Sequence, residues 1–174
     1  MKIIIYGSEY GTTRQYAEEL SKKTGIEAEE YTDVDDINQY DTIVYIGALY
    51  AGSVLGMKKT LNKISDAKDK KIIIATVGLA DPNDEDNRDT IRANIKKQLP
   101  EDVFNQASIH FLRGGIDYSK LGIKHKTMMS FIHRKVKGLK EEEMNAEIKA
   151  VVETYGKTVD YMDFDTLNPI IDEI

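Results

Sequence analysis

Three stretches of this chain, Lys2–Tyr6, Thr42–Ile46 and Lys71–Val77, are nearly continuous runs of apolar, largely β-branched residues. Strands without the usual in-and-out alternation must be covered on both faces, which points to a parallel sheet between two layers of helix. Weaker runs at Ala28–Tyr31 and Ser108–Leu112 raise the number of strands to five. The segments between them carry the helical period instead. Arg14–Thr24 puts Ala17, Leu20 and Thr24 on one side, Val54–Ile64 does so with Met57, Leu61 and Ile64, and Asn87–Leu99 with Ile91, Ile95 and Leu99. Two further helices are predicted over Lys124–Lys137 and Glu141–Tyr155, the latter with acids in its first turn, where the helix dipole favours them. This alternation predicts a doubly wound α/β domain with helices on both faces of the sheet. At 174 residues, the whole chain, 1–174, suits one such domain.

Composition removes several kinds of chemistry. With no cysteine, thiol catalysis, disulfides and iron–sulfur ligation are excluded. The three histidines, His110, His125 and His133, lack metal-motif spacing and acidic companions in sequence, so no metal site is expected. No run approaches the roughly twenty apolar residues of a membrane-spanning helix, and Met1 leads straight into a strand, which together predict a cytoplasmic protein. A formal charge of −6 argues against nucleic acid as a partner.

In a sheet of this kind ligands sit beyond the carboxyl ends of the strands, where the strand order reverses. The first such place reads Gly7-Ser8-Glu9-Tyr10-Gly11-Thr12-Thr13, a turn of small and hydroxyl residues leading into a helix. A helix start carries unpartnered N–H groups and partial positive charge, so this arrangement suits a bound phosphate. The turn lacks the Gly-Lys-Ser/Thr of a triphosphate loop and the G-x-G-x-x-G of a dinucleotide site. What remains is a monophosphate held by neutral donors, with hydroxyls from Ser8, Thr12 and Thr13. The competing reading is an ordinary cap, with Thr12 or Thr13 starting a helix at Arg14.

Two other strands end in similar loops, Gly47-Ala48-Leu49-Tyr50-Ala51-Gly52-Ser53 and Gly78-Leu79-Ala80-Asp81. Missing side chains let backbone groups crowd a planar ligand, and Tyr50 offers it a stacking face. The first turn and the second loop also speak against a phospho-acceptor receiver domain. That fold needs an acidic pair after strand one and an aspartate after strand three, where this chain has Gly7-Ser8 and Gly47-Ala48.

The first turn, the second loop with its following helix, and the segment Phe111-Leu112-Arg113-Gly114-Gly115-Ile116-Asp117-Tyr118-Ser119-Lys120-Leu121 resemble the flavodoxin-domain proteins. Within that family the likeness is to the flavodoxin-type, menaquinone-dependent protoporphyrinogen oxidases, and it extends to the Asp160–Ile171 tail. The resemblance implies a five-stranded parallel sheet in the order 2-1-3-4-5 and FMN as cofactor. It assigns the phosphate to Ser8, Glu9, Tyr10, Gly11, Thr12 and Thr13. The isoalloxazine ring falls to Ala48, Leu49, Tyr50, Ala51 and Gly52, to Val77, Gly78 and Leu79, and to Gly114, Gly115, Asp117 and Tyr118. This chain departs from the commoner pattern with Tyr10 where threonine often stands and Thr12 where asparagine often does.

Charge is unevenly distributed. Residues 113–140 hold eight Lys or Arg against the single acid Asp117, a formal +7, and leave −13 on the rest of the chain. The resemblance makes this segment an insertion after strand five. A helix over Lys124–Lys137 with Met128, Met129, Ile132 and Val136 along one side either packs on the sheet, lies on an anionic membrane surface through 120–140, or walls a site for a carboxylate-bearing substrate. The expected partners are a redox protein, a quinone or a small-molecule substrate. Glu9 and Asp81, if turned inward, would lower the flavin potential. His125, Asp117 and Tyr118 are candidate proton-transfer groups by their place past strand five. Three functions remain open on these grounds: a substrate oxidase, a simple electron carrier, and a non-redox binding module.

Overall fold

The computed structural model describes residues 1–50 and 52–174. Strands β1 (Lys2–Gly7), β2 (Ala28–Glu30), β3 (Thr42–Tyr50), β4 (Ser53–Val54), β5 (Lys71–Gly78) and β6 (Ala107–Arg113) share one sheet. Five of them lie parallel in the order β2-β1-β3-β5-β6, while β4 folds back antiparallel on β3. Counted over the five strands read from the sequence, this is the order 2-1-3-4-5.

Register and side-chain alternation sort the core into two layers. Ile3, Ile43 and Ile72 lie side by side, as do Ile5, Tyr45 and Ile74, and all six face one layer. There they meet Met57 and Leu61 of α2 (Met57–Leu61), Ile91 and Ile95 of α3 (Glu85–Gln98), and Val103 of α4 (Glu101–Gln106). The intervening residues Ile4, Val44, Ile46, Ile73, Ala75 and Val77 face the other layer, against Tyr16, Ala17 and Leu20 of α1 (Thr12–Thr24). Burial on both faces is why these strands read as unbroken apolar runs.

Beyond β6 the chain leaves the sheet and returns. Strand β7 (Gly115–Asp117) pairs antiparallel with β8 (Thr158–Asp160), and between them run α5 (Ile123–Val136) and α6 (Ala146–Thr154). This excursion has its own small core of Leu121, Met129 and Val151, with Ile116, Tyr118, Met128, Ile132 and Tyr155 around it. The His133 ring stacks on Tyr155 at 3.9 Å, and the Tyr155 hydroxyl hydrogen-bonds Ser130 Oγ at 2.9 Å. After β8 the chain rejoins the body through Tyr161, whose N–H donates to the Gly114 carbonyl. A short 3-10 turn and α7 (Asn168–Glu173) then place Leu167 and Ile170 in the α1 layer.

Several predicted helix limits shift, each for a local reason. The helix expected over Val54–Ile64 shrinks to Met57–Leu61 because Val54 pairs with Leu49 in the β3–β4 hairpin. The one expected over Glu141–Tyr155 divides, since Asn145 accepts the Ile148 N–H at 2.8 Å and starts α6 as its cap. Among the described residues, no helix is long and apolar enough to cross a membrane.

Candidate functional site

The start of α1 decides between the two readings of its turn. The helix begins at Thr12, two residues before the predicted Arg14, and its cap is Gly11 in the left-handed conformation, φ 95°, with no side-chain cap. Thr12 and Thr13 therefore belong to the first helical turn and cap nothing. Among the described residues, no hydrogen bond takes the N–H groups of Thr12, Thr13 or Arg14. Ser8 Oγ accepts the Gly11 N–H at 3.1 Å, closing the turn and leaving its own hydrogen free to donate. Thr13 is 2% exposed, so its side chain is mostly packed within the protein. The nearest cationic side chain in sequence, Arg14, points away into an exposed pair with Glu18 at 2.7 Å. The donors named here, the Ser8 hydroxyl and the first N–H groups of α1, are uncharged.

Strand ends bring the other predicted loops to the same edge. Strand β3 continues through Gly47, Ala48, Leu49 and Tyr50, so the second loop starts later than the sequence suggested. Ala51 lies outside the described residues. Leu49 packs on Gly78, where a Cβ would stand 2.9 Å from Leu49 Cδ1. The Gly114 N–H donates to the Gly78 carbonyl at 2.7 Å, and Arg113 Nε to the Leu79 carbonyl at 3.0 Å. A Cβ on Gly114 would stand 2.8 Å from Val77 Cγ1 and 3.2 Å from Thr12 Cγ2. Four loops thus meet.

Not every small residue leaves room for a ligand. The space beside Gly7 is taken by the Leu55 carbonyl, and that beside Gly47 by the Val54 side chain. Gly52 faces Asn94 of α3, and Gly115 lies flush against Val159 and Asp160 in the β7–β8 ribbon. Close packing explains Gly7, Gly47 and Gly115, while a left-handed backbone, φ 77°, explains Gly52.

The polar residues divide likewise. The Tyr50 phenol is held above its ordinary range, chiefly by burial and then by the charges of Tyr10 and Glu9. Glu9 itself is exposed. Asp81 is occupied in the turn before α3, accepting the Asn83 N–H at 2.9 Å. Asp117 accepts from Ser119 Oγ at 2.6 Å and Thr158 Oγ1 at 3.0 Å, and these contacts hold its carboxyl at about 2. Tyr118 packs against Tyr155 with ring centroids 5.3 Å apart, and burial raises its phenol to about 12. Asp117 is committed within the excursion, while the Tyr118 hydroxyl is buried there without a hydrogen-bond partner among the described residues.

The sequence named His125 for its place in the chain but gave no sign of what it touches. The Tyr10 hydroxyl and His125 Nδ1 hydrogen-bond each other, and the His125 ring also meets Tyr50 edge-on at 5.0 Å. No periodicity marks such a contact, because it joins three separate elements.

The flavodoxin domain family matches residues 3–143 of the chain. No curated protein is significantly similar in sequence. Similar solved structures include a flavoprotein in complex with FMN from Lactobacillus acidophilus NCFM, with 13% identity and a TM-score of 0.45 over 64% of this chain and 91% of that one. Oxidised flavodoxin 1 from Bacillus cereus shares 17% identity at a TM-score of 0.40, over 80% and 99%. A Fusobacterium nucleatum flavodoxin bound to flavin mononucleotide shares 15% at 0.45, over 68% and 72%. The family match spans all five parallel strands and the turn at the start of α1, and on that ground the chain belongs to the flavodoxin domain family.

Proposed function

We propose that the protein binds FMN at the carboxyl edge of its sheet and transfers electrons through it. The observation that carries this reading is the uncapped start of α1, where Thr12, Thr13 and Arg14 have unpartnered N–H groups beside the Ser8 hydroxyl. Neutral donors and a helix dipole suit one phosphate group without a counter-cation. FMN fits that donor set, and two of the similar structures contain FMN.

Bound there, FMN supplies the capacity to take up and release one or two electrons. The chain supplies position. Ser8, Gly11 and Thr12 would hold the phosphate, while Leu49, Tyr50, Gly78 and Gly114 border the space for the ring. The exposed Glu9 adds negative charge to the turn beside the proposed site. Adding FMN to the purified protein should give a yellow complex that bleaches with dithionite. A protein that leaves FMN free in solution would refute this function and leave a non-redox binding module.

A second reading makes the protein an oxidase of a small substrate, of the protoporphyrinogen type, with a quinone as acceptor. The position of α5 beside Tyr10 and Tyr50 favours it, because a wall at the site suits a small molecule more than a broad protein surface. The exposed face of α5, with Phe131 at 58% exposure among Lys124, Arg134 and Lys135, would meet an anionic membrane where quinones reside. Oxidation of protoporphyrinogen coupled to menaquinone marks the oxidase. Fast reduction of a cytochrome without that activity marks the carrier.

A further inference from the structure

Two tyrosines, Tyr10 in the turn after β1 and Tyr50 at the end of β3, come from separate elements, and both lean on one side chain of a third. His125, in the first turn of α5, hydrogen-bonds the Tyr10 hydroxyl through Nδ1. Its ring lies edge-on to Tyr10, with centroids 5.4 Å apart and planes at 75°, and to Tyr50 at 5.0 Å and 65°. The surrounding contacts reinforce this arrangement. The Gly122 N–H donates to the same Tyr10 hydroxyl at 3.3 Å, and the Tyr50 hydroxyl donates to Met128 Sδ at 3.9 Å, one helical turn beyond His125.

Tyr10 is 46% exposed, and an exposed aromatic side chain samples several rotamers unless something fixes it. A site whose walls are already fixed binds more tightly, since less freedom is lost on binding. The apolar core that α5 shares lies within the excursion.

We propose that His125 is a positioning residue which ties α5 to Tyr10 and Tyr50, and so sets the aromatic walls of the flavin ring site. The inference rests on the FMN reading above and assigns His125 no direct contact with the reacting atoms. It makes the excursion part of the flavin site. It also separates two parts of one ligand: the α1 start serves the phosphate, while His125 serves the ring.

The test is a fluorescence titration of the full chain with FMN and with riboflavin, for wild type, His125→Ala, His125→Gln and Tyr10→Phe. The expected result is a loss of about tenfold for both ligands in His125→Ala, the size of a hydrogen bond plus an aromatic contact. Bound flavin should also fluoresce more strongly, as Tyr50 is no longer held in place to quench it. His125→Gln, which keeps a group able to bond the Tyr10 hydroxyl, should recover most of the loss. The double variant His125→Ala with Tyr10→Phe should lose little more than either alone. Unchanged affinity and emission in His125→Ala, or a loss confined to FMN, would overturn the inference while wild-type binding sustains the FMN reading. Wild-type protein that takes up neither flavin would overturn both.

Discussion

Gly114 lies against Thr12: a Cβ on the glycine would come within 3.2 Å of Thr12 Cγ2, and within 2.8 Å of Val77 Cγ1 on its other side. The contact joins the end of β6 to the first turn of α1, so the phosphate and ring portions of the proposed site share a boundary. Gly114→Val should therefore act twice. Overpacking is expected to cost about 1–3 kcal/mol of stability, read by urea unfolding, and the displaced Thr12 should weaken FMN in the same protein. Full stability with full affinity would show that this contact has slack.

Asp117 fastens the base of the excursion. Hydrogen bonds from Ser119, with Thr158 and Lys120 beside them, hold its carboxyl at about 2 against an ordinary 3.8. A carboxyl depressed in the folded state adds stability above its unfolded value, and that contribution fades as pH falls from 3.8 toward 2. Asp117→Asn should accordingly speed hydrogen exchange of the β7–β8 amides at neutral pH. The difference from wild type should close over that acidic window. A difference independent of pH would assign the effect to shape alone.

The sheet was legible because burial on both faces writes itself into sequence as unbroken apolar runs, as at Ile3–Ile5 and Ile72–Ile74. The β7–β8 ribbon was not. It pairs Ile116 with Val159, far apart in the chain, through two three-residue strands whose remaining members are polar or glycine. Strand β4 is two residues long, too short for any period, yet its pairing extends β3 to Tyr50 and moves the second loop. In the site, the hydroxyl and glycine pattern of the first turn pointed to α1, but sequence could not show that Thr13 is almost wholly buried. Nor could it show that the space beside Gly7 and Gly47 is filled by the crossing 54–55 segment. Those distinctions depend on contacts between elements.

The carboxyl terminus is held by a cluster on the opposite edge of the sheet. Glu173 accepts from Ser108 Oγ at 2.5 Å and bonds His110 Nε2 at 3.0 Å, while its carbonyl accepts from Lys71. Lys2 Nζ donates to the Ile174 carbonyl at 2.8 Å. Glu173→Ala should cost about 1 kcal/mol, modest because the carboxylate is partly in water. Thermal unfolding would measure it, and FMN affinity should stay unchanged, since this cluster lies at the amino ends of the strands.

The start of α1 permits the most direct test of where the phosphate lies. Glu is favourable at a helix N-terminus, so Thr12→Glu should fold at least as stably as wild type while placing a negative charge beside the proposed phosphate. Parallel titrations with FMN and riboflavin are expected to show FMN weakened by about tenfold or more and riboflavin by no more than about twofold, since only FMN carries the repelled group. Equal losses for the two ligands, or FMN binding as tight as wild type, would contradict a phosphate held by the uncharged donors of Ser8, Gly11 and Thr12.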